Sequence, residues 1–147
     1  LWKTNINIVH KLIKKFGSQC IVASIDIKTN DKNVKEVYID RGTMNIEADP
    51  LEWARYCEKN GAGEIFFNNI DHDGNRNGYD LEILNKITNG VKIPVIAFGG
   101  VFNWKHLLEG LEAGANAVAA ANIFHYKEMA TMHAKKYLSR HNIRIRN

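Results

Sequence analysis

The chain has 147 residues, of which 45% are hydrophobic and 24% are charged, and its formal net charge is +4. These values are typical of globular proteins and exclude a disordered or collagen-like chain, while no apolar run reaches the ~18 residues that a membrane-spanning helix needs. No charged stretch followed by an apolar one opens the chain, so we expect a cytoplasmic protein with no signal peptide and no membrane partner.

The basic residues, cysteines and histidines give few further functional signals. No basic stripe is interleaved with aromatic side chains, so we expect no nucleic-acid partner, and the mild positive charge suits a solvated face or phosphorylated small molecules. Cys20 and Cys57 both lie in apolar runs without a CxxC pair, which predicts two buried, reduced thiols. The 6 histidines form no H-x-x-x-H pair, so the sequence predicts neither a metal site nor a metal cofactor.

Helices and short apolar runs alternate along the chain. Apolar residues at helical spacing, with capping residues at the ends, predict helices over residues 5–16, 50–59, 80–88, 103–112 and 128–140. Apolar runs bounded by turn residues predict strands over 19–26, 64–70, 94–98 and 116–121, with an excursion strand over 34–39. The run at 19–26 has the composition of a strand buried on both faces. Repeated βα units of this kind predict an α/β fold with a parallel sheet.

A (β/α)8 barrel fits these units better than a doubly wound nucleotide-binding fold. The strand at 19–26 lacks the G-x-G-x-x-G turn that a doubly wound fold would place after it, and later strands end in polar or glycine-rich groups, where a barrel places its chemistry. A barrel needs eight units and about 250 residues, whereas only four are predicted. We therefore expect half of one barrel domain, starting at Leu1, with exposed sheet edges that pair with the missing half or with a second copy of the chain.

Asp26 ends the strand at 19–26 and is the candidate catalytic residue. The two-residue period places Ser24, Asp26 and Lys28 on one face of that strand. A carboxylate at the mouth of a barrel suits general acid or base chemistry, and the nearby lysine favours its ionised form. The alternative is structural, in which Asp26 caps the end of the strand or pairs with Lys28.

The segment DHDGNRNGYD, residues 71–80, follows the next strand. Its acidic residues partly match the spacing of a calcium-binding loop, but Arg76 stands where that loop requires glycine, and the segment follows a strand rather than a helix. We therefore predict a glycine-hinged active-site loop in which the backbone N–H group at Gly74 faces an anion.

Two further strand ends predict a cup for a phosphate group. Gly99 and Gly100 let a phosphate approach the backbone N–H groups, and the small side chains of Ala120 and Ala121 leave room before Asn122. These two strand ends lie one βα unit apart, near strands 7 and 8 of a barrel, where phosphate often binds. The alternative is that the glycines serve plain turns.

Four segments carry a resemblance to a known family. FGSQCIVASIDIK, GAGEIFFNNIDHDGNRNGYDLEIL, IPVIAFGG and EAGANAVAAANIFHY occur in the order and spacing of the cyclase subunit of imidazole glycerol phosphate synthase, which the chain closely resembles over nearly all of its length. The sister isomerase of histidine synthesis shares two of these motifs, but Gly78-Tyr79-Asp80 and Phe124-His125 favour the cyclase. The match covers strands 5–8, so the resemblance implies the C-terminal half of a (β/α)8 TIM barrel.

The resemblance implies a lyase of histidine biosynthesis that uses no cofactor. Ammonia from a glutaminase partner would cross the barrel and attack a phosphorylated ribulosyl substrate, and cyclisation and cleavage would give imidazole glycerol phosphate. Asp26 matches one of two catalytic aspartates, the other belonging to the half that this chain does not cover. Glu64, which by itself predicts a strand-entry ion pair with Lys or Arg, matches a member of the charged gate where ammonia enters. The residues that match the phosphate site are Asp73, Gly74, Gly99, Gly100, Ala121 and Asn122.

Departures from the family pattern leave two other functions open. Asn68-Asn69 replace Thr-Ser on strand 6, and Phe98 replaces a serine before the two glycines. Val101-Phe102 stand where Ala-Gly is usual. Phe98 removes a hydroxyl and fills space at the mouth, which would alter how the second half of the substrate sits. The pattern resembles a paralogous branch that delivers ammonia for sugar amidation in surface-polysaccharide synthesis; a non-catalytic half-barrel that only binds phosphate is the third possibility.

Overall fold

The computed structural model describes residues 2–125 and 128–145 of the chain. The helices are α1 (Ile6–Phe16), α2 (Pro50–Lys59), α3 (Leu81–Gly90), α4 (Trp104–Glu112), α5 (Asn122–His125) and α6 (Ala130–Arg140). The strands are β1 (Val22–Thr29), β2 (Lys35–Ile39), β3 (Met44–Asn45), β4 (Glu64–Asn69), β5 (Val95–Phe98) and β6 (Ala117–Val118). Within the described residues, no helix is both long enough and apolar enough to cross a membrane.

The strands form one sheet in the order β3-β2-β1-β4-β5-β6. β1, β4, β5 and β6 run parallel, whereas β2 and β3 form an antiparallel hairpin beside β1. Each parallel strand is followed along the chain by a helix, which gives four βα units, half the number in a (β/α)8 barrel. The predicted α/β class with a parallel sheet is therefore confirmed.

One face of the sheet forms the core with the helices. In β1, Ala23, Ile25 and Ile27 are fully buried, and the burial of β4 and β5 alternates in the same way. The other face is more exposed, and Val22 on it is 47% exposed. The prediction that the first strand is buried on both faces is thus wrong, because helices supply cover on one side only. We call the other side the open face; it comprises Val22, Ser24, Asp26, Glu64, Phe66, Asn68, Ile96 and Phe98.

Capping side chains explain where three helices begin. The carboxylate of Asp49 accepts hydrogen bonds from the backbone N–H groups of Leu51 and Glu52, at the start of α2. Asp80 and Asn103 cap α3 and α4 in the same way. Such caps satisfy backbone donors that a helix leaves unpaired at its N-terminus. The predicted helices over 50–59, 80–88 and 103–112 are confirmed to within two residues at each end.

Other elements differ more from their predicted bounds, among them β6, which was predicted over 116–121 and is observed as Ala117–Val118. Ser18–Cys20 forms a 3₁₀ turn, so β1 begins at Val22 instead of residue 19 and continues to Thr29. β3 was not predicted, because it has only two residues and follows a turn with positive φ angles at Asp40 and Arg41. The last helix begins at Ala130, two residues later than predicted.

The two cysteines lie in different environments. Cys20 is exposed, so the prediction of a buried thiol is wrong for Cys20, which lies in the turn before β1 where no neighbouring strand covers it. Cys57 is fully buried on α2 among Ala23 and Ala62, as predicted. Burial raises the pKa of the Cys57 thiol to about 12, because the thiolate would lose its hydration.

We expect the two thiols to react at very different rates with a thiolate-selective reagent. At pH 8 Cys20 reacts in the native protein, whereas Cys57 stays protonated, since its thiolate forms only as the pH approaches about 12. Titration should therefore count one fast thiol in the native protein and two in urea. The control is Cys20→Ser, and a fast thiol remaining in that variant would contradict the burial of Cys57.

Candidate active site

A cavity lies where β4, β5 and β6 end. Its volume is about 280 Å³. Parallel strands bring their carboxyl ends to the same edge of a sheet, so the loops after these three strands meet there. All six residues that match the phosphate site of the resembled family line this cavity. The lining residues are Asp73, Gly74, Arg76, Phe98, Gly99, Gly100, Val101, Phe102, Ala120, Ala121, Asn122 and Ile123.

The two glycines after β5 allow close backbone contact with the loop after β4. Gly99 and Gly100 have φ angles of +99° and +84°, which L side chains rarely adopt. A Cβ atom on Gly100 would lie 2.3 Å from the carbonyl oxygen of Gly78, and the Gly78 N–H group donates to the Gly100 carbonyl at 2.9 Å. Packing between the two loops therefore requires glycine at position 100, and the positive φ angle favours glycine at position 99.

A backbone N–H group of β1 and a side chain of β4 hold the loop that follows β4. Asp71 accepts a hydrogen bond from the backbone N–H group of Thr29 at 2.7 Å, and its own N–H group donates to Asn69 Oδ1 at 2.9 Å. Gly74, at the tip of the loop, has a φ of +78°, and a Cβ atom there would meet nothing within 4 Å. Gly74 therefore borders open space, in the cavity that it lines.

Tyr79 connects the end of the loop after β4 to the segment that follows β6. Its hydroxyl donates to the backbone carbonyl of Ala119 at 2.9 Å. Burial raises the pKa of the Tyr79 phenol, so the group stays a hydrogen-bond donor across the physiological pH range. Gly110 on α4 makes room for this ring, because a Cβ atom there would lie 2.6 Å from Tyr79 Cε2.

Asp26 lies on the open face, in a row of residues that crosses three strands. Asp26 pairs in register with Asn68, and Asn68 pairs with Phe98, which lines the cavity. Neighbouring strands are ~4.8 Å apart, so the Asp26 backbone lies about 10 Å from that of Phe98. The predicted carboxylate and the predicted cup therefore lie side by side at the same end of the sheet, although Asp26 does not itself line the cavity.

Asn68 gives Asp26 its hydrogen-bond partner. The Asn68 side-chain amide donates to Asp26 Oδ1 at 3.0 Å. Lys28, which was expected near Asp26, instead has its ammonium 5.9 Å from the centre of the Tyr38 ring, and no Asp26–Lys28 ion pair occurs among the described residues. Asn68 Oδ1 is buried without a hydrogen-bond partner in the described part of the chain. The sequence did not predict this role for Asn68.

An aromatic pair joins β4 and β5 on the open face. The rings of Phe66 and Phe98 are 5.3 Å apart, at an interplanar angle of 33°. Such tilted pairs are a favourable aromatic arrangement. Phe98 thus fills space between the cup and the middle of the sheet, as its position in the sequence predicts.

Glu64 lies at the opposite end of β4 from the cavity. It is half-buried and pairs in register with Val22 on β1. The ion pairs of the described residues do not include Glu64, so the strand-entry ion pair with Lys or Arg is not observed. The carboxylate belongs to the open face and is placed at its amino-terminal edge.

Four βα units with a cavity at the carboxyl ends of their strands match half of a βα barrel, a class of proteins whose sites lie at that end. Residues 2–130 match the family model described as "Histidine biosynthesis protein", and the chain belongs to that family. The predicted resemblance is thereby confirmed.

Curated relatives agree with this assignment. The chain is 41% identical over 143 residues to the imidazole glycerol phosphate synthase subunit HisF of a Hydrogenobaculum species, a match that covers 97% of this chain and 57% of the relative. It is 46% identical over 142 residues to the subunit HisF of Clostridium botulinum, with 92% of this chain and 56% of the relative covered. The chain thus spans somewhat more than half the length of these relatives.

Proposed function

We propose that these four βα units are part of a cyclase subunit of imidazole glycerol phosphate synthase. The observation that carries the proposal is the cavity, because residues from three separate loops that match the family's phosphate site converge on it. In the proposed reaction, ammonia attacks a phosphorylated ribulosyl aminoimidazole carboxamide ribotide. Ring closure and cleavage then release imidazole glycerol phosphate and an aminoimidazole carboxamide ribotide.

In this proposal Asp26 is one of two acid–base groups, and the cup holds one substrate phosphate. The hydrogen bond from Asn68 fixes the orientation of the Asp26 carboxylate, which proton transfer requires. The second aspartate and the second phosphate site would come from four further βα units. Glu64, at the far end of the sheet, would belong to the entrance through which a glutaminase partner delivers ammonia.

Phe98 favours a second candidate function, the delivery of ammonia for sugar amidation. Its ring lines the cavity and packs on Phe66, so the wall beside Asp26 is aromatic where the resembled cyclases have a serine hydroxyl. A narrower, more apolar mouth disfavours a substrate that carries a polar second half. The barrel would then conduct ammonia without making imidazole.

One assay separates the two functions. Full-length protein is supplied with an ammonium salt and the ribulosyl substrate, and formation of imidazole glycerol phosphate is measured. The cyclase proposal predicts product formation with ammonium alone. If no imidazole product forms while a sugar-amidation assay with the glutaminase partner succeeds, the cyclase proposal is wrong and the second function stands. A chain that binds phosphate but supports neither reaction is a binding fragment.

We also propose that further βα units cover the open face. Val22, 47% exposed, and the edge of β1 beside it would be buried in a closed barrel, whose interior is filled by side chains. The curated relatives are long enough to supply such units, since the chain covers only 56–57% of each.

The isolated 147-residue chain is therefore expected to self-associate through the open face. Light scattering should show dimers or larger species, and Val22→Lys should shift them toward monomer by placing a charge on that face. Val34→Lys is the matched control, because Val34 is 49% exposed but lies in the loop before β2. A monomer at every concentration, or equal effects of both substitutions, would refute this expectation.

A further inference from the structure

We propose that Arg76, stacked on Phe102, forms the cationic wall of the cavity and pairs with the phosphate group of the ligand. The inference rests on the proposed function only in taking the ligand to be a phosphate monoester. Neither residue was predicted as a site residue from the sequence.

Arg76 and Phe102 approach each other across the mouth of the cavity. The guanidinium carbon of Arg76 lies 4.7 Å from the centre of the Phe102 ring, and both residues line the cavity. Arg76 follows β4, whereas Phe102 follows β5, so the contact closes the space between two loops. A cation over an aromatic face at this distance is attracted by ~0.5–1 kcal/mol at an exposed site. Phe102 is 48% exposed, which places the pair at the rim.

The charges of the lining residues indicate what Arg76 does there. Among the residues that line the cavity, Arg76 is the one Lys or Arg, and Asp73 is the one acid. A phosphate dianion that entered the cup would be repelled by the Asp73 carboxylate, and neutral donors such as the Asn122 amide and backbone N–H groups carry no full charge. The guanidinium of Arg76 offsets this repulsion, and without it the lining would be net negative.

The geometry of arginine suits both contacts at once. Its guanidinium is planar, so one flat face can stack on the Phe102 ring while the N–H groups at its edge donate hydrogen bonds to phosphate oxygens. Charge-assisted bonds of this kind are about twice as strong as bonds between neutral groups. Lysine cannot make the same pair of contacts, because its ammonium is a compact charge without a flat face.

The backbone at Arg76 supports a role for its side chain. Arg76 has a φ of +63°, in the left-handed region that favours glycine or asparagine. Asn75 and Asn77 flank Arg76, yet the positive φ angle falls on the arginine. Residues in this region of backbone conformation are often found at functional sites, and Arg76 is one that also lines the cavity.

Binding of inorganic phosphate to the 147-residue chain tests the inference directly. Titration calorimetry or NMR is applied to the unaltered chain, Arg76→Gln, Arg76→Lys and Phe102→Leu. We expect Arg76→Gln to weaken phosphate binding about tenfold, because one charge-assisted bond is lost. Arg76→Lys and Phe102→Leu should weaken it about two- to fivefold, since each loses only the stacking. Arg55→Gln, which removes the same charge from the exposed surface of α2, is the control and should bind like the unaltered chain.

Each outcome separates this inference from the proposed function. If Arg76→Gln binds phosphate as well as Arg55→Gln does, or if the unaltered chain binds no phosphate, the role of Arg76 is wrong, whatever the cyclase assay gives. If phosphate binding depends on Arg76 while full-length protein makes no imidazole product, the inference stands and the cyclase proposal fails. A thermal melt of each variant checks that the chain remains folded.

Discussion

Replacing Asp26 with asparagine in full-length protein is expected to lower turnover of the ribulosyl substrate by about 10²- to 10⁴-fold, the range that a general acid or base contributes. Asparagine has the shape of aspartate and keeps an oxygen that can accept the hydrogen bond from Asn68, so the fold should be unchanged. What the substitution removes is the ability to take up and release a proton. The measurement is the kcat of imidazole glycerol phosphate formation with ammonium as the nitrogen source.

Asp31→Asn provides the matched control for this prediction. Asp31 is exposed in the turn after β1, five residues from Asp26 but away from the open face, and the change in charge is the same. Its turnover should equal that of the unaltered protein. Unchanged turnover in Asp26→Asn, with substrate still bound, would show that the carboxylate is structural and would return Asp26 to the role of a strand-end residue.

Replacing Asp80 with alanine is expected to destabilise the chain by about 3 kcal/mol. Asp80 is almost completely buried, at 4% exposure, and its carboxylate holds three partners. Asp80 Oδ2 lies 2.7 Å from the Lys35 ammonium and accepts a 2.7 Å hydrogen bond from the Asn69 amide, and Asp80 Oδ1 caps α3. Alanine would leave the buried Asn69 amide unpaired and Lys35 without its counter-charge. The loss of folding free energy is therefore larger than that from losing a helix cap alone.

Asp49→Ala isolates the contribution of the cap. Asp49 also caps a helix, but it is exposed and contacts only the backbone of that helix among its described hydrogen bonds. The Asp49→Ala substitution should lower the free energy of unfolding by about 1 kcal/mol. Urea unfolding, with equal m-values for the two variants, gives the comparison. Equal losses of stability in Asp49→Ala and Asp80→Ala would mean that the contacts to Lys35 and Asn69 add nothing.

The same two aspartates show which parts of the fold could be predicted from the sequence. Asp49, followed by Pro50, is a local signal, and α2 begins where that signal predicts. Asp80 also predicted a helix start, but its ion pair joins it to a lysine in the β2 hairpin, far away along the chain. Contacts of this kind depend on where the hairpin pairs at the edge of the sheet, and no short-range pattern encodes them.

The candidate site likewise combines features that local sequence signals predict with contacts that they do not. Glycines and small residues after strands predicted the cup, because parallel strands always bring their carboxyl ends together. The contact between Arg76 and Phe102 could not be predicted, since it depends on the conformations of two loops after different strands. In the sequence, Arg76 serves only to exclude a calcium loop. The hydrogen bond between Asn68 and Asp26 needs the strand register, which the sequence leaves undetermined.

The hairpin beside β1 has a consequence for the order of events during folding. Thr29 pairs with Lys35 after a short connection, whereas the Asp26–Asn68 bond joins residues 42 positions apart. Closing a short loop loses less chain entropy, so the hairpin is expected to form before β4 pairs with β1. It then occupies the edge of β1 from Asp26 to Thr29 and leaves β4 the opposite edge. Pulsed hydrogen exchange should protect hairpin amides before those of β4, and simultaneous protection would argue against this order.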